Sequence, residues 1–138
     1  MLCLLMVLSA CQPRTEAEFF KKAEVYAEKG RFEKAVETYQ KYLADFPEGE
    51  RRDKALFRSG EILYYALGQR APAVRNFDLL VRKYPASASA FRAREILAGV
   101  FRDEVQDYKR AAIEYRCLLE QQPESPKAPG YQLQIARC

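Results

Sequence analysis

The chain has 138 residues, with 23 lysines and arginines against 19 aspartates and glutamates, a formal charge of +4. It contains no histidine and no tryptophan, which excludes Ser-His-Asp and Cys-His catalysis and the common zinc constellations. The charges mostly alternate in sign, as on solvated helix faces, and no motif points to nucleic acid, a metal, a cofactor or a small-molecule substrate.

The first segment is apolar from Leu2 to Leu8, continues with Ser9-Ala10-Cys11, and stops at Gln12-Pro13-Arg14. A membrane-spanning helix needs about 20 apolar residues, so this run is too short to span. Leu8-Ser9-Ala10-Cys11 resembles the bacterial lipobox. On that resemblance residues 1–10 are a lipoprotein signal peptide removed on maturation. Cys11 then carries the acyl chains, palmitate among them, and residues 11–15 form a lipidated tether. Gln12, in place of Asp, implies transfer to the outer membrane, on its periplasmic face. The segment lacks the Lys or Arg that usually opens a signal peptide. An ordinary secretory signal with an incidental cysteine and an apolar first helix are the other two readings.

Residues 16–138 are enough for one domain, and they repeat. In residues 16–49, Phe19-Phe20, Ala23 and Tyr26-Ala27 follow the helical period. Gly30 then permits a turn, and Ala35-Val36, Tyr39 and Tyr42-Leu43 form a second apolar face before Pro47. Residues 54–87 carry Phe57, Tyr64, Gly68, Ala73, Phe77 and Pro85 in the same order, with the second helix expected from Pro72. Residues 88–125 carry Tyr108, Ala111, Tyr115 and Pro123 but no glycine at the turn. The alanines, the aromatics four positions later and the prolines twelve positions later each recur every 38 residues. A small alanine lets two helices approach, the aromatic fills the space beside it, and the proline ends the second helix. Between the first two repeats the extra residues fall in the connection 48–52. In the third they form an extra turn near Arg102–Gln106. Residues 127–138 read as a capping helix, or as the first helix of a further repeat.

These residues resemble the tetratricopeptide repeat (TPR), a 34-residue helix–turn–helix unit. The third-repeat departures are the missing glycine and the longer hairpin; the second has Arg70 where an aromatic is usual. The resemblance implies an all-α superhelical solenoid of about three repeats plus a C-terminal cap. It also implies a concave surface built from the first helix of each pair. Family register places Phe20, Glu24, Arg58, Ile62, Tyr65 and Arg92 there, as a protein-binding groove. The alternative is that such residues are merely solvated or half-buried. Tyr26, Tyr39, Phe77 and Tyr115 are expected in the core.

Arg51, Arg52, Lys54 and Arg58 form the densest basic stretch. It reads either as a contact for anionic lipid headgroups or an acidic partner, or as a solvated linker, since Glu48, Glu50 and Asp53 interleave it. Cys3 leaves with the signal. Cys117 and Cys138 either pair in an oxidising compartment or stand apart at mismatched heights, with Cys117 a buried thiol. A lipid anchor ahead of TPR repeats resembles the TPR lipoprotein of the outer-membrane β-barrel assembly machinery (BamD-like), which has about five repeats rather than three. It also resembles the TPR domain of the periplasmic Tol-Pal coordinator. The first implies a non-catalytic adaptor for envelope proteins or peptides, and the second a coordinator or targeting subunit for cell-wall machinery.

Overall fold

Helix α1 (Glu16–Glu28) starts at Thr15, whose hydroxyl accepts from the Glu18 amide while the Glu18 carboxylate accepts from the Thr15 amide. The reciprocal pair satisfies two amides that a helix start leaves open. The computed structural model describes residues 15–138. The expected signal peptide, residues 1–10, the expected lipidation site Cys11 and residues 12–14 lie outside the described residues. Six further helices follow: α2 (Phe32–Asp45), α3 (Arg52–Glu61), α4 (Arg70–Lys83), α5 (Ala88–Val100), α6 (Tyr108–Gln121) and α7 (Ala128–Arg137). Each packs on the next, and α3 also packs directly on α5. The described residues contain no strand.

The repeated residues do the packing. Ala35, Ala73 and Ala111 are all fully buried, as are Tyr39 and Phe77, with Tyr115 nearly so. Tyr26 is only half-buried, which corrects its assignment to the core: it stands at the free face of the first hairpin, with the Lys22 ammonium above its ring. Helices α2, α4 and α6 are capped by Phe46, Tyr84 and Gln122, each directly before a proline. Arg52 closes the first of these ends. Its Nη1 donates to the carbonyls of Leu43 and Phe46 at 2.5 and 2.8 Å, and its Nε donates to the Tyr84 hydroxyl at 3.0 Å. Those carbonyls have no partner within their own helix.

Three residues one repeat apart, Gly30, Gly68 and Gln106, take left-handed backbone with φ of 69°, 65° and 58°. Glycine does this freely, whereas a side chain there costs about 1–2 kcal/mol. The third repeat therefore keeps the turn without its glycine, at a strain. Gln106→Gly is expected to stabilise the domain by about 0.5–1 kcal/mol. A higher urea midpoint with an unchanged slope is the readout.

The extra turn of the third repeat lies at Phe101–Val105 and is π-helical, closed by the Asp107 amide donating to the Phe101 carbonyl at 2.8 Å. A similar π-helical turn at Ile62–Ala66 ends α3, where the ordinary spacing gave no sign of it. Helix α4 starts at Arg70 rather than Pro72, and Pro72 remains in the first turn, where its missing N–H has no helical acceptor to lose. Arg70, in the place of the usual aromatic, lies over the Tyr64 ring at 5.0 Å and pairs with Glu104 at 2.7 Å. It thereby ties the second repeat to the third. Helix α7 covers the last hairpin. The Tyr131 ring packs 6.0 Å from that of Tyr115, and its hydroxyl donates to Glu95 Oε1 at 2.5 Å. Cys117 is half-buried and Cys138 exposed, and both are free thiols.

Candidate functional site

Helix α3 packs directly on α5, and α1 joins them around one cavity. Their N-terminal halves enclose a cavity of about 480 Å³. Its floor is the edges of Phe20 and Phe57, both almost fully buried. Its walls are cationic: Arg51, Lys54, Arg58 and Arg92, with Ala88, Ser89 and the carboxylate of Glu24.

The cations are held in place by the aromatics and by one carboxylate. The Arg51 guanidinium sits 5.4 Å from the Phe20 ring centre, and that of Arg92 sits 4.4 Å from Phe57. Such stacking orients a guanidinium while leaving its N–H groups available. Arg58 and Arg92 converge on Glu61, at 2.9 and 3.2 Å. No ion pair to Arg51 or Lys54 occurs among the described residues. The lining thus holds four cations and one carboxylate, Glu24, with Glu61 paired to Arg58 and Arg92 and Glu16 beside Arg51, so the excess is positive. Below them, burial pushes the Tyr39 phenol up to about 12, so it stays protonated.

The backbone of Arg51 is pinned from below. Tyr42 donates to Glu16 Oε1 at 2.5 Å, and the Arg51 amide donates to the Tyr42 hydroxyl at 3.1 Å and to Glu16 at 3.3 Å. The Tyr42 hydrogen bond holds the Glu16 carboxyl below its ordinary value of 4.5, while burial, with the Glu16 bond, pushes Tyr42 up to about 12. A folded value below the unfolded one means that this contribution is complete above pH 4.5 and fades as pH falls through the lowered value. The melting temperature of the native chain is therefore expected to drop more between about pH 5 and pH 3 than that of Glu16→Gln.

Of the residues assigned to the groove by register, Phe20, Glu24, Arg58 and Arg92 surround this cavity. Tyr65 and Ile62 do not. They border a second cavity of about 340 Å³ between α1 and α3, which Arg58 also lines. Tyr65 is 67% exposed, whereas Ile62 is buried in the core and offers only an edge. Phe20 is likewise a floor rather than an exposed grip. Register alone omitted Arg51, Lys54, Phe57 and Ser89. Arg51 and Lys54 were signalled by the basic stretch, and Phe57 looks like any core aromatic in sequence. Farther along α5, the carboxylates Glu95, Asp103 and Glu104 border another cavity. Each is already engaged, by Lys127, Arg102 and Arg70 respectively. Among the described residues no cluster of His, Cys, Asp and Glu is placed to hold a metal ion, and no helix is long and apolar enough to cross a membrane.

Residues 19–49 and 54–87 match the tetratricopeptide repeat family. The fold is a TPR solenoid. No curated protein matches the chain. The third TPR-like hairpin lies beyond the matched segments, yet carries Ala111, Tyr115 and Pro123 in the same register. TPR domains bind protein partners and are typically non-catalytic scaffolds. The repeats point to a protein–protein interaction adaptor.

Proposed function

We propose that this chain is a lipid-anchored TPR adaptor of the bacterial outer membrane, facing the periplasm and docking envelope proteins through its groove. Acylation at Cys11 would hold it at the membrane, and the work done there is positioning rather than catalysis. The observation that carries the docking reading is the exposed ring of Tyr65 on the second cavity, beside Arg58, Glu61 and Ile62. An exposed tyrosine with an arginine beside it is the kind of anchor that protein interfaces favour.

The test has two parts. Mass spectrometry of the mature protein should find an acylated Cys11 at the N-terminus; an intact Met1 would sink the anchor. Photo-cross-linking from position 65 in intact cells should capture envelope proteins, and the same probe on the solvated face at position 40 should not. Components of β-barrel assembly would favour an assembly role. Transglycosylases or amidases would favour the coordinator of cell-wall machinery, the alternative reading.

A further inference from the structure

We infer that the cavity at the starts of α1, α3 and α5 takes the phosphate-bearing headgroup of an anionic phospholipid in the membrane to which the chain is tethered. The inference rests on the anchor at Cys11 for its geometry and on the cavity for its chemistry. Arg51, whose amide rather than guanidinium meets Glu16, and Lys54 line the cavity with no side-chain ion pair among the described residues, and Arg58 and Arg92 share Glu61. A phosphate offers several acceptor oxygens, two of which a planar guanidinium can bind at a time, and Lys54 adds a point charge. Stacking on Phe20 and Phe57 has already fixed the two outer arginines. Glu24, the one carboxylate in the lining, can only accept, which suits a headgroup carrying hydroxyl donors, such as phosphoglycerol, better than a bare polyanion.

Position supplies the second argument. Four peptide steps separate Cys11 from Thr15, a reach of at most about 15 Å. Thr15 caps α1, and Phe20 lies about 8 Å farther along the axis. The cavity therefore opens at the tethered edge of the solenoid, within reach of the headgroup layer. The carboxylates Glu95, Asp103 and Glu104, at the far end of α5 and in the π-helical turn after it, are each paired with a cation of their own.

The test uses the full chain carrying Cys11→Ser, so that binding does not depend on acylation, with circular dichroism to verify the fold. It is sedimented with vesicles of phosphatidylcholine, alone or with phosphatidylglycerol. The expected result is binding only to the phosphatidylglycerol vesicles, weakened about tenfold or more by Lys54→Glu with Arg92→Glu. Lys29→Glu with Arg31→Glu, the same charge change at the opposite edge, should leave binding unaltered. Lys54→Gln alone should give a smaller loss, and keeps the test open if the double variant misfolds. Equal losses in both double variants would reduce the effect to net charge and overturn the site. Absence of binding to phosphatidylglycerol would overturn it too. Displacement from the vesicles by a poly-glutamate peptide, with no effect of phosphate at equal ionic strength, would reassign the cavity to an acidic protein segment. Displacement by inorganic phosphate alone at millimolar level would make it a free-phosphate site. An unacylated Cys11 in cells would remove the anchor while leaving the vesicle result standing, so the two failures are separable.

Discussion

Phe77→Ala should destabilise the domain by about 4 kcal/mol, enough to leave most of a marginally stable chain unfolded at moderate temperature. Phe77 is fully buried at the centre of the middle repeat. Its ring lies 5.9 Å from Phe57, which floors the cavity, and directly against the backbone of α3 at Gly60. A Cβ added at Gly60 would stand 2.6 Å from Phe77 Cε1 and 2.9 Å from Cζ. The ring has no room to retreat, so emptying this site leaves a void that neither neighbouring helix can fill. The same contact is testable from the other side. Alanine favours a helix over glycine by up to about 1 kcal/mol, yet overpacking costs about 1–3 kcal/mol. Gly60→Ala is therefore expected to lose stability by about 1 kcal/mol net, and to be less harmful in a Phe77→Leu background, where the ring is gone. Urea unfolding of the four chains in this cycle measures the coupling. Equal effects of Gly60→Ala in both backgrounds would mean that the ring is not what glycine accommodates.

The second large effect lies within the third hairpin, between α5 and α6. Arg94 on α5 donates to Glu114 on α6 at 2.8 Å, and the two side chains are only 12% and 11% exposed. Replacing Arg94 by Met would leave a carboxylate confined with no cation, at a cost of about 3–5 kcal/mol. Arg94 Nε is itself buried without a partner, so the pair is incompletely satisfied. The double variant Arg94→Met/Glu114→Leu is accordingly expected to come back to native stability, or to exceed it by up to about 2 kcal/mol. A thermal melt of the two chains distinguishes this from a pair that is stabilising outright, for which the double variant would stay as unstable as the single. Since each repeat in a stack leans on its neighbours, the single variant is expected to expose the α6–α7 end to proteolysis first, with the matched repeats surviving longest.

The hairpins were legible because their signals are local. A small residue, an aromatic one turn later and a proline eight positions beyond that recur at 38 residues. Each acts through the helix that carries it: close approach, filling, and termination. The missing glycine of the third repeat was equally legible, but not its consequence. Only the backbone reveals that Gln106 adopts the left-handed turn anyway, because the flanking helices fix the turn more firmly than one residue can refuse it. The π-helical turn at Ile62–Ala66 left no mark in the spacing, since it widens hydrogen bonds without adding a residue to the repeat.

The groove was legible only in part, for a different reason. Helical register tells which residues share a face, but burial depends on what the neighbouring helix brings to that face. Ile62 and Tyr65 are three residues apart, and packing buried one and left the other in solvent. The basic stretch 51–58 illustrates the division most plainly. Its composition alone established a concentration of positive charge, and the repeat pattern alone established that it opens the second hairpin. Tertiary packing decided what each cation does. Arg52 turns under the chain to close the end of α2, where carbonyls lack helical partners, while Arg51, Lys54 and Arg58 turn to the cavity and meet Arg92 from the next repeat. Periodicity is written within a helix and survives in the sequence. The meeting of residues 34 and more positions apart is decided by the distance between helices, which no single helix encodes.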